Sequence, residues 1–166
     1  DAADESADPL LFFGDLTGHQ YAGSALTGEL RWKKRIEDHG AATLTAAAEL
    51  SGGVLYVPVS SLEEGAAIAA GYPCCSFRGS IVALDARSGE ELWRRHFIPP
   101  AEQHGVNAAG TPQYGPSGVP IWAGMAMDAE HLYIATGDDY SGEGSETSDA
   151  IICLLYTSDA ADERNS

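Results

Sequence analysis

The chain is short of basic residues, of cysteine and of long apolar runs, and each shortage excludes something. Nine Lys and Arg stand against 25 Asp and Glu, a formal net charge of −16. Nucleic-acid binding needs clustered positive charge to meet phosphates, so that class is excluded. No stretch approaches the ~20 apolar residues that a bilayer-crossing helix requires. The three cysteines, two of them adjacent (Cys74 and Cys75), match no paired C-x-x-C zinc pattern. No C-x-x-C-H haem-attachment motif occurs. Convincing helical periodicity is scarce too; Glu63 to Ala70 (EEGAAIAA) offers one turn or two.

What is present suits a globular protein of many tight turns. Hydrophobic residues make up 44% and charged residues 20%, with 19 glycines among 166 residues. The pentapeptide Asp-Ala-Ala-Asp-Glu occurs at residues 1–5 and again at 159–163, and neither copy has strand periodicity or turn logic. On that ground residues 1–8 are expected to be a non-native leader and 153–166 a non-native, adaptor-like tail. The span 9–152 then carries 18 acids and 8 bases, a net charge of −10 that still describes an acidic surface.

An internal repeat organises this span. Residues 21–36 read YAGSALTGELRWKKRI and residues 82–97 read VALDARSGEELWRRHF. At an offset of 61, Ala22 falls on Ala83, Gly28 on Gly89, Glu29 on Glu90 and Trp32 on Trp93. Each unit reads as strand, glycine turn, strand. Ile81, Ala83 and Leu84 predict a half-buried strand. Further strands are expected at Leu10–Gly14, Val54–Val59 and His131–Thr136, which are short, rich in β-branched and aromatic residues, and bounded by Gly or Asp. Many short strands with a periodic Trp point to an all-β propeller, in which one unit cannot bury its face without neighbours. A β-sandwich is the competing architecture. The Trp after each turn is placed to lie between neighbouring blades, a burial of ~200 Å².

The pattern A-x-D-x-x-[TS]-G-x-x-x-W resembles the tryptophan-docking motif of the pyrroloquinoline-quinone (PQQ) dependent quinoprotein alcohol dehydrogenases, and most of all their polyvinyl alcohol dehydrogenase group. The resemblance is carried in order by Val57–Glu64 (VPVSSLEE), Tyr72–Asp85 (YPCCSFRGSIVALD), Gly115–Trp122 (GPSGVPIW) and Thr136–Ser141 (TGDDYS), and covers about residues 10–152. It implies about three blades of four-stranded antiparallel sheet, part of an eight-bladed propeller that holds PQQ and calcium on its axis. In such enzymes an adjacent-cysteine disulfide packs on one face of the quinone and a Trp on the other. Cys74–Cys75 and Trp122 take those places, although two buried thiols and an inter-blade core Trp are the plain alternatives. Arg78 would hold a quinone oxygen or carboxylate, with an ordinary surface Arg as the alternative. Asp138 and a Glu after Ser60-Ser61, with Glu64 preferred to Glu63, would ligate calcium through oxygen.

The resemblance further implies oxidation of a small or polymeric alcohol by hydride transfer to the quinone, a cytochrome c as electron acceptor, and the bacterial periplasm as compartment. The family's catalytic Asp lies one blade beyond the Thr-Gly-Asp segment, so no catalytic residue is assigned here and this stretch alone is expected to be inactive. A non-catalytic PQQ-like propeller serving as a binding scaffold in the bacterial envelope is the second reading. Two departures stand out. Residues 22–25 read AGSA where the motif wants A-L-D-A, and Asp139 stands where Asn is expected. His39 has a counterpart in the polyvinyl alcohol group but receives no role.

Overall fold

Alternation of apolar residues over runs of five to eight, broken by Gly turns, builds short antiparallel strands and almost nothing else. The structure is a computed structural model and describes residues 8–142 and 144–155. A first sheet joins β1 (Leu10–Gly14), β2 (His19–Ser24) and β3 (Leu30–Arg35) in sequential order. The middle sheet contains β4 (Ala42–Thr43), β5 (Glu49–Ser51), β6 (Val54–Ser61), β7 (Ser80–Asp85) and β8 (Glu91–His96). Both β4 and β5 pair with β6, which continues to β7 and β8. A one-turn helix, α1 (Glu63–Ala66), follows β6, as the EEGA stretch suggested. The hairpin β9 (Glu102–Val106) and β10 (Pro112–Gly115) precedes a third sheet of β11 (Ala126–Met127), β12 (His131–Ala135) and β13 (Ile151–Leu155).

The middle sheet is covered on both sides. Leu55, Val57, Val59, Val82 and Leu84 pack with Ile36, Ala42 and Leu44, against Phe12 and Trp32 of the first sheet. On the opposite side Tyr56, Ile81 and Ala83 pack with Leu132, Ile134 and Leu154 of the third, and with Ile121 of the segment before it. The half-buried strand expected at 81–84 is therefore corrected: Ile81, Val82, Ala83 and Leu84 are all fully buried, because β7 is sandwiched between two neighbouring sheets. Each buried Val, Leu or Ile contributes roughly 1.5–3 kcal/mol, and here the burial depends on the neighbouring sheets as well as on the sheet itself. Among the described residues the flanking sheets have three strands each and the middle one five.

The repeat is as regular in space as in sequence. Ala22 pairs with Trp32 and Ala83 with Trp93, and a register shift follows each alanine, at Ala22/Gly23 and at Ala83/Leu84. The turns close alike: Asp85 N–H donates to the Glu90 carbonyl and Gly89 N–H to the Asp85 carbonyl, as Ser24 and Gly28 do in the first unit. Asp85 Oδ1 accepts the amides of Arg87 and Ser88. In the unit that lacks this Asp, Ser24 Oγ accepts the amides of Leu26 and Thr27 instead. The departure in AGSA is thus conservative in hydrogen bonding.

Docking between units is also visible. The Trp32 indole N–H donates to the Ala86 carbonyl at 3.1 Å, and the ring lies over Gly89, where an added Cβ would sit 2.8 Å from the indole. Gly89 has φ +72°, a conformation only glycine adopts without strain. Trp93 is half-buried and tilted against Tyr56, 5.8 Å between ring centres.

The boundary drawn at Cys153 falls inside β13, where Cys153, Leu154 and Leu155 pair with Tyr133, Leu132 and His131. At the other end Asp8 accepts from Ser24 Oγ and Arg31 Nη2. Residues 1–7 and 156–166, the bulk of the proposed leader and tail, lie outside the described residues. Among the described residues no helix is long and apolar enough to cross a membrane.

Trp32→Ala removes one docking ring and its hydrogen bond, and is expected to cost about 2–3 kcal/mol in denaturant unfolding. Leu26→Ala, on the same hairpin but 75% exposed, should cost under ~0.5 kcal/mol. Equal costs would mean that Trp32 does not join the two units.

Candidate functional site

Three segments are laced side by side, and they hold Cys74, Cys75, Arg78, Trp122 and Asp138, whereas Glu64 lies on α1. Cys74 and Cys75 precede β7. The Tyr114 amide donates to the Cys74 carbonyl and the Cys75 amide to the Tyr114 carbonyl, which ties the cysteine loop to β10. Beyond it, Gly118 N–H donates to the Phe77 carbonyl and Gly79 N–H to the Gly118 carbonyl. The second segment is bonded in turn to the third: Val119 N–H to the Asp138 carbonyl, Tyr140 N–H to the Ser117 carbonyl and Gly137 N–H to the Pro120 carbonyl. The order is 72–79, then 113–122, then 136–141.

Such close lacing requires residues without side chains. A Cβ on Gly79 would overlap the Val119 carbonyl. One on Gly118, at φ +102°, would lie 2.6 Å from the Asp138 carbonyl oxygen. The next residue, Val119, is fully buried with φ +54°. A β-branched side chain in that region costs ~1–3 kcal/mol and persists only where the surroundings over-determine it.

Cys74 and Cys75 are joined as a disulfide across a cis peptide, with Cys75 buried and Cys74 half-buried. Among the described residues Trp122 joins neither core cluster. Its side chain is 60% exposed, its carbonyl accepts from Thr45 Oγ1, and its indole nitrogen would be 2.9 Å from a Cβ on Gly137. A large, rigid aromatic face therefore stands open to solvent beside the Thr-Gly-Asp turn. Arg78 half-buries its guanidinium and donates Nε to the Ile98 carbonyl at 3.0 Å. It borders a cleft of about 530 Å³ shared with Arg35, Glu37, His39, Arg94 and His96. Burial lowers the Arg78 pKa, with the Glu37 charge opposing.

Each neighbouring pair of acids divides into one that is engaged and one that is exposed. Glu63 has no exposed surface. Its carboxylate accepts from the amides of Ser76 and Phe77, from Tyr72 Oη and from Ser117 Oγ, and meets His39 Nε2 at 3.4 Å. Burial pushes this carboxyl up, but His39 and the two amides outweigh it and hold it below the usual carboxylate range. Glu64 beside it is exposed. Likewise Asp139 accepts from Ser141 N, Ser141 Oγ and Gly144 N, whereas the Asp138 side chain is exposed. The Tyr140 phenol is pushed well above its ordinary value by burial and then by the charges of Asp138, Glu64 and Glu63.

Asp138 follows β12 and Glu64 lies on α1, so the two exposed acids come from separate parts of the chain. Among the described residues no three His, Cys, Asp or Glu side chains converge into a ready metal site. Sequence reasoning assigned no role to His39, Ser117 or Tyr140, and weighed Glu63 only as the less favoured alternative to Glu64 for calcium. The only signal for Glu63 was its place beside Glu64 after two serines, and spacing alone could not tell the buried acid from the exposed one.

Comparison with known proteins places this geometry. Polyvinylalcohol dehydrogenase of Sphingopyxis sp. (strain 113P3) is 34% identical over 151 residues, and that of a Pseudomonas sp. 36% over 148. The chain is homologous to the quinoprotein alcohol dehydrogenases. The two matches cover 89% and 87% of this chain, which spans 23% of the length of each relative. Methanol dehydrogenase [cytochrome c] subunit 1 of Paracoccus denitrificans is 33% identical over 130 residues. Quinohemoprotein alcohol dehydrogenase ADHIIG of Pseudomonas putida HK5 superposes with a TM-score of 0.63 over 88% of this chain and 23% of that one, at 22% identity. A europium-containing methanol dehydrogenase gives 0.63 over 89% of this chain and 28% of that chain, at 21% identity. No family model matches the chain. The sheets are therefore part of a dehydrogenase-type propeller, the all-β fold that the repeat implied, rather than a sandwich.

Gly137→Ala is expected to displace the Trp122 indole while leaving the fold intact. In 5-fluorotryptophan-labelled full-length protein, the fluorine resonance that Trp122→Phe deletes should shift, with Tm unchanged to within about 3 °C. An unmoved resonance would contradict the contact.

Proposed function

We propose that this chain forms part of the cofactor seat of a PQQ- and calcium-dependent dehydrogenase that oxidises alcohols, secondary or polymeric ones such as polyvinyl alcohol among them. The observation that carries the reading is the exposed Trp122 indole on the same laced strip as the Cys74–Cys75 disulfide. A planar tricyclic quinone needs flat apolar walls, and an indole at a solvent-facing rim is otherwise an unfavourable place for so large an apolar surface.

The chain's own residues would act as follows. Trp122 offers one face, and the disulfide ring, fixed by its bonds to Tyr114, offers the second. Arg78, with its guanidinium only part-committed to Ile98, is a donor for a carboxylate or quinone oxygen. Glu64 and Asp138 would hold calcium. Their partners Glu63 and Asp139 are spent on loop amides, which supports this choice within each pair. Two carboxylates are too few for calcium's 6–8 oxygens, so further oxygens must come from the cofactor or from water. When bound, the quinone supplies the hydride acceptor for alcohol oxidation, with the metal as Lewis acid. No residue described here is assigned as the base that takes the hydroxyl proton. The Paracoccus relative is a methanol dehydrogenase [cytochrome c] subunit; for this protein a cytochrome c acceptor and a periplasmic location are part of the same proposal.

The test uses the full-length protein in a dye-linked alcohol assay. Excess chelator should abolish activity and added calcium restore it, and Asp138→Ala should raise the calcium needed by at least about tenfold. Full activity in chelator would remove Glu64 and Asp138 as ligands. Replacing both Cys74 and Cys75 by Ser should weaken PQQ binding; unchanged affinity would sink the role of the ring.

A further inference from the structure

We propose that Glu63 is the positioning residue of the Cys74–Cys75 loop and that His39 is its outer support. The proposal deepens the reading of the ring as a quinone wall and rests on it for its functional meaning. The structural case stands on one carboxylate and its donors.

Glu63 lies at the start of α1, its amide held by Ser61 Oγ at 2.8 Å. From there the side chain reaches both sides of the disulfide. Tyr72, two residues before Cys74, donates its hydroxyl at 3.1 Å. Ser76, directly after Cys75, donates its amide to both carboxylate oxygens at 2.9 and 3.1 Å, and Phe77 donates at 2.8 Å. One group therefore grips the loop before and after the ring. Ser117 Oγ, 3.4 Å away, adds the segment that leads to Trp122. His39 closes the outside: Nε2 lies 3.4 Å from Glu63 Oε1 and 3.2 Å from Ser76 Oγ, and the ring stands edge-on to Phe77 at 5.7 Å.

The chemistry calls for a carboxylate rather than any polar group. All of these neighbours donate or can donate, and an ionised carboxylate only accepts. A Gln would turn its NH₂ toward the Ser76 amide in either orientation, and toward the Phe77 amide as well in one of them, leaving at least one buried donor unpaired. A buried charge is tolerated only when it is so satisfied, and satisfying it fixes each donor. The loop ends are thus held by something the disulfide itself does not supply. The exposed neighbour Glu64 makes no such grip, which divides the two acids by task.

The experiment compares Glu63→Gln, His39→Ala, Ser117→Ala and Glu64→Gln in the full-length protein, after circular dichroism has confirmed folding. Three quantities are read. They are the rate at which dithiothreitol reduces Cys74–Cys75, scored by alkylation and mass spectrometry; PQQ affinity of the apoprotein; and calcium affinity without quinone. Glu63→Gln should speed reduction and weaken PQQ binding by about tenfold or more each, with calcium affinity within about twofold. Glu64→Gln should do the opposite, lowering calcium affinity and leaving the reduction rate alone. An unchanged reduction rate in folded Glu63→Gln overturns the proposal, as does a loss of calcium affinity matching that of Glu64→Gln. If Glu63→Gln fails to fold, His39→Ala and Ser117→Ala, which each remove a single donor, must still speed reduction about threefold; no change in either overturns it. Should the unmodified protein bind no PQQ, the cofactor reading fails while the reduction rates still decide the role of Glu63.

Discussion

Everything at the candidate site depends on the middle sheet having no free face. Because β6 and β7 are apolar on both sides, they are stable only with a sheet packed against each, and this fixes where the loops at their ends emerge. β6 runs into Ser61 and α1, which sets Glu63; β7 begins directly after the cysteine loop. The two ends of the buried pair are adjacent, so a carboxylate leaving one strand meets the amides entering the other. The polar network is a consequence of an apolar constraint.

Glycine positions convert that arrangement into a close-knit rim. Where the chain segments carrying Phe77, Gly118 and Asp138 run together, a Cβ at Gly79 or Gly118 would intrude on a neighbouring backbone. The rim can therefore present Trp122 and the disulfide from separate loops without filling the space between those loops with side chains. Backbone hydrogen bonds between neighbouring segments, with Phe77 and Ile121 anchored in the two cores, keep these loops in line. That suits a seat for a flat ligand, whose walls must stay rigid when it is absent.

Much of this was legible in the sequence, and for identifiable reasons. The 61-residue offset predicted Trp32 and Trp93 as equivalents, and their identical pairing with Ala22 and Ala83 bears that out, because a turn glycine and an indole four residues later have few other uses together. The strands at 10–14, 54–59 and 131–136 were found from local composition. What could not be read was burial on the second face of β7, since periodicity reports on one sheet and the second face is covered by a sheet close to fifty residues further along the chain. Nor could spacing divide Glu63 from Glu64, or give His39 its partner at Glu63. Those assignments depend on which way a short helix turns, and four residues carry too little periodicity to say.

The substitution of Ser24 for the motif's aspartate has a wider consequence. Ser24 and Asp85 do the same work for their turns, yet one is neutral and the other an anion. What the turn selects is an acceptor atom at a given place, not a charge. The same turn closes on a neutral acceptor in one unit and on an anion in the next, so in these two units the charge carried by the capping residue is decoupled from the backbone geometry it holds.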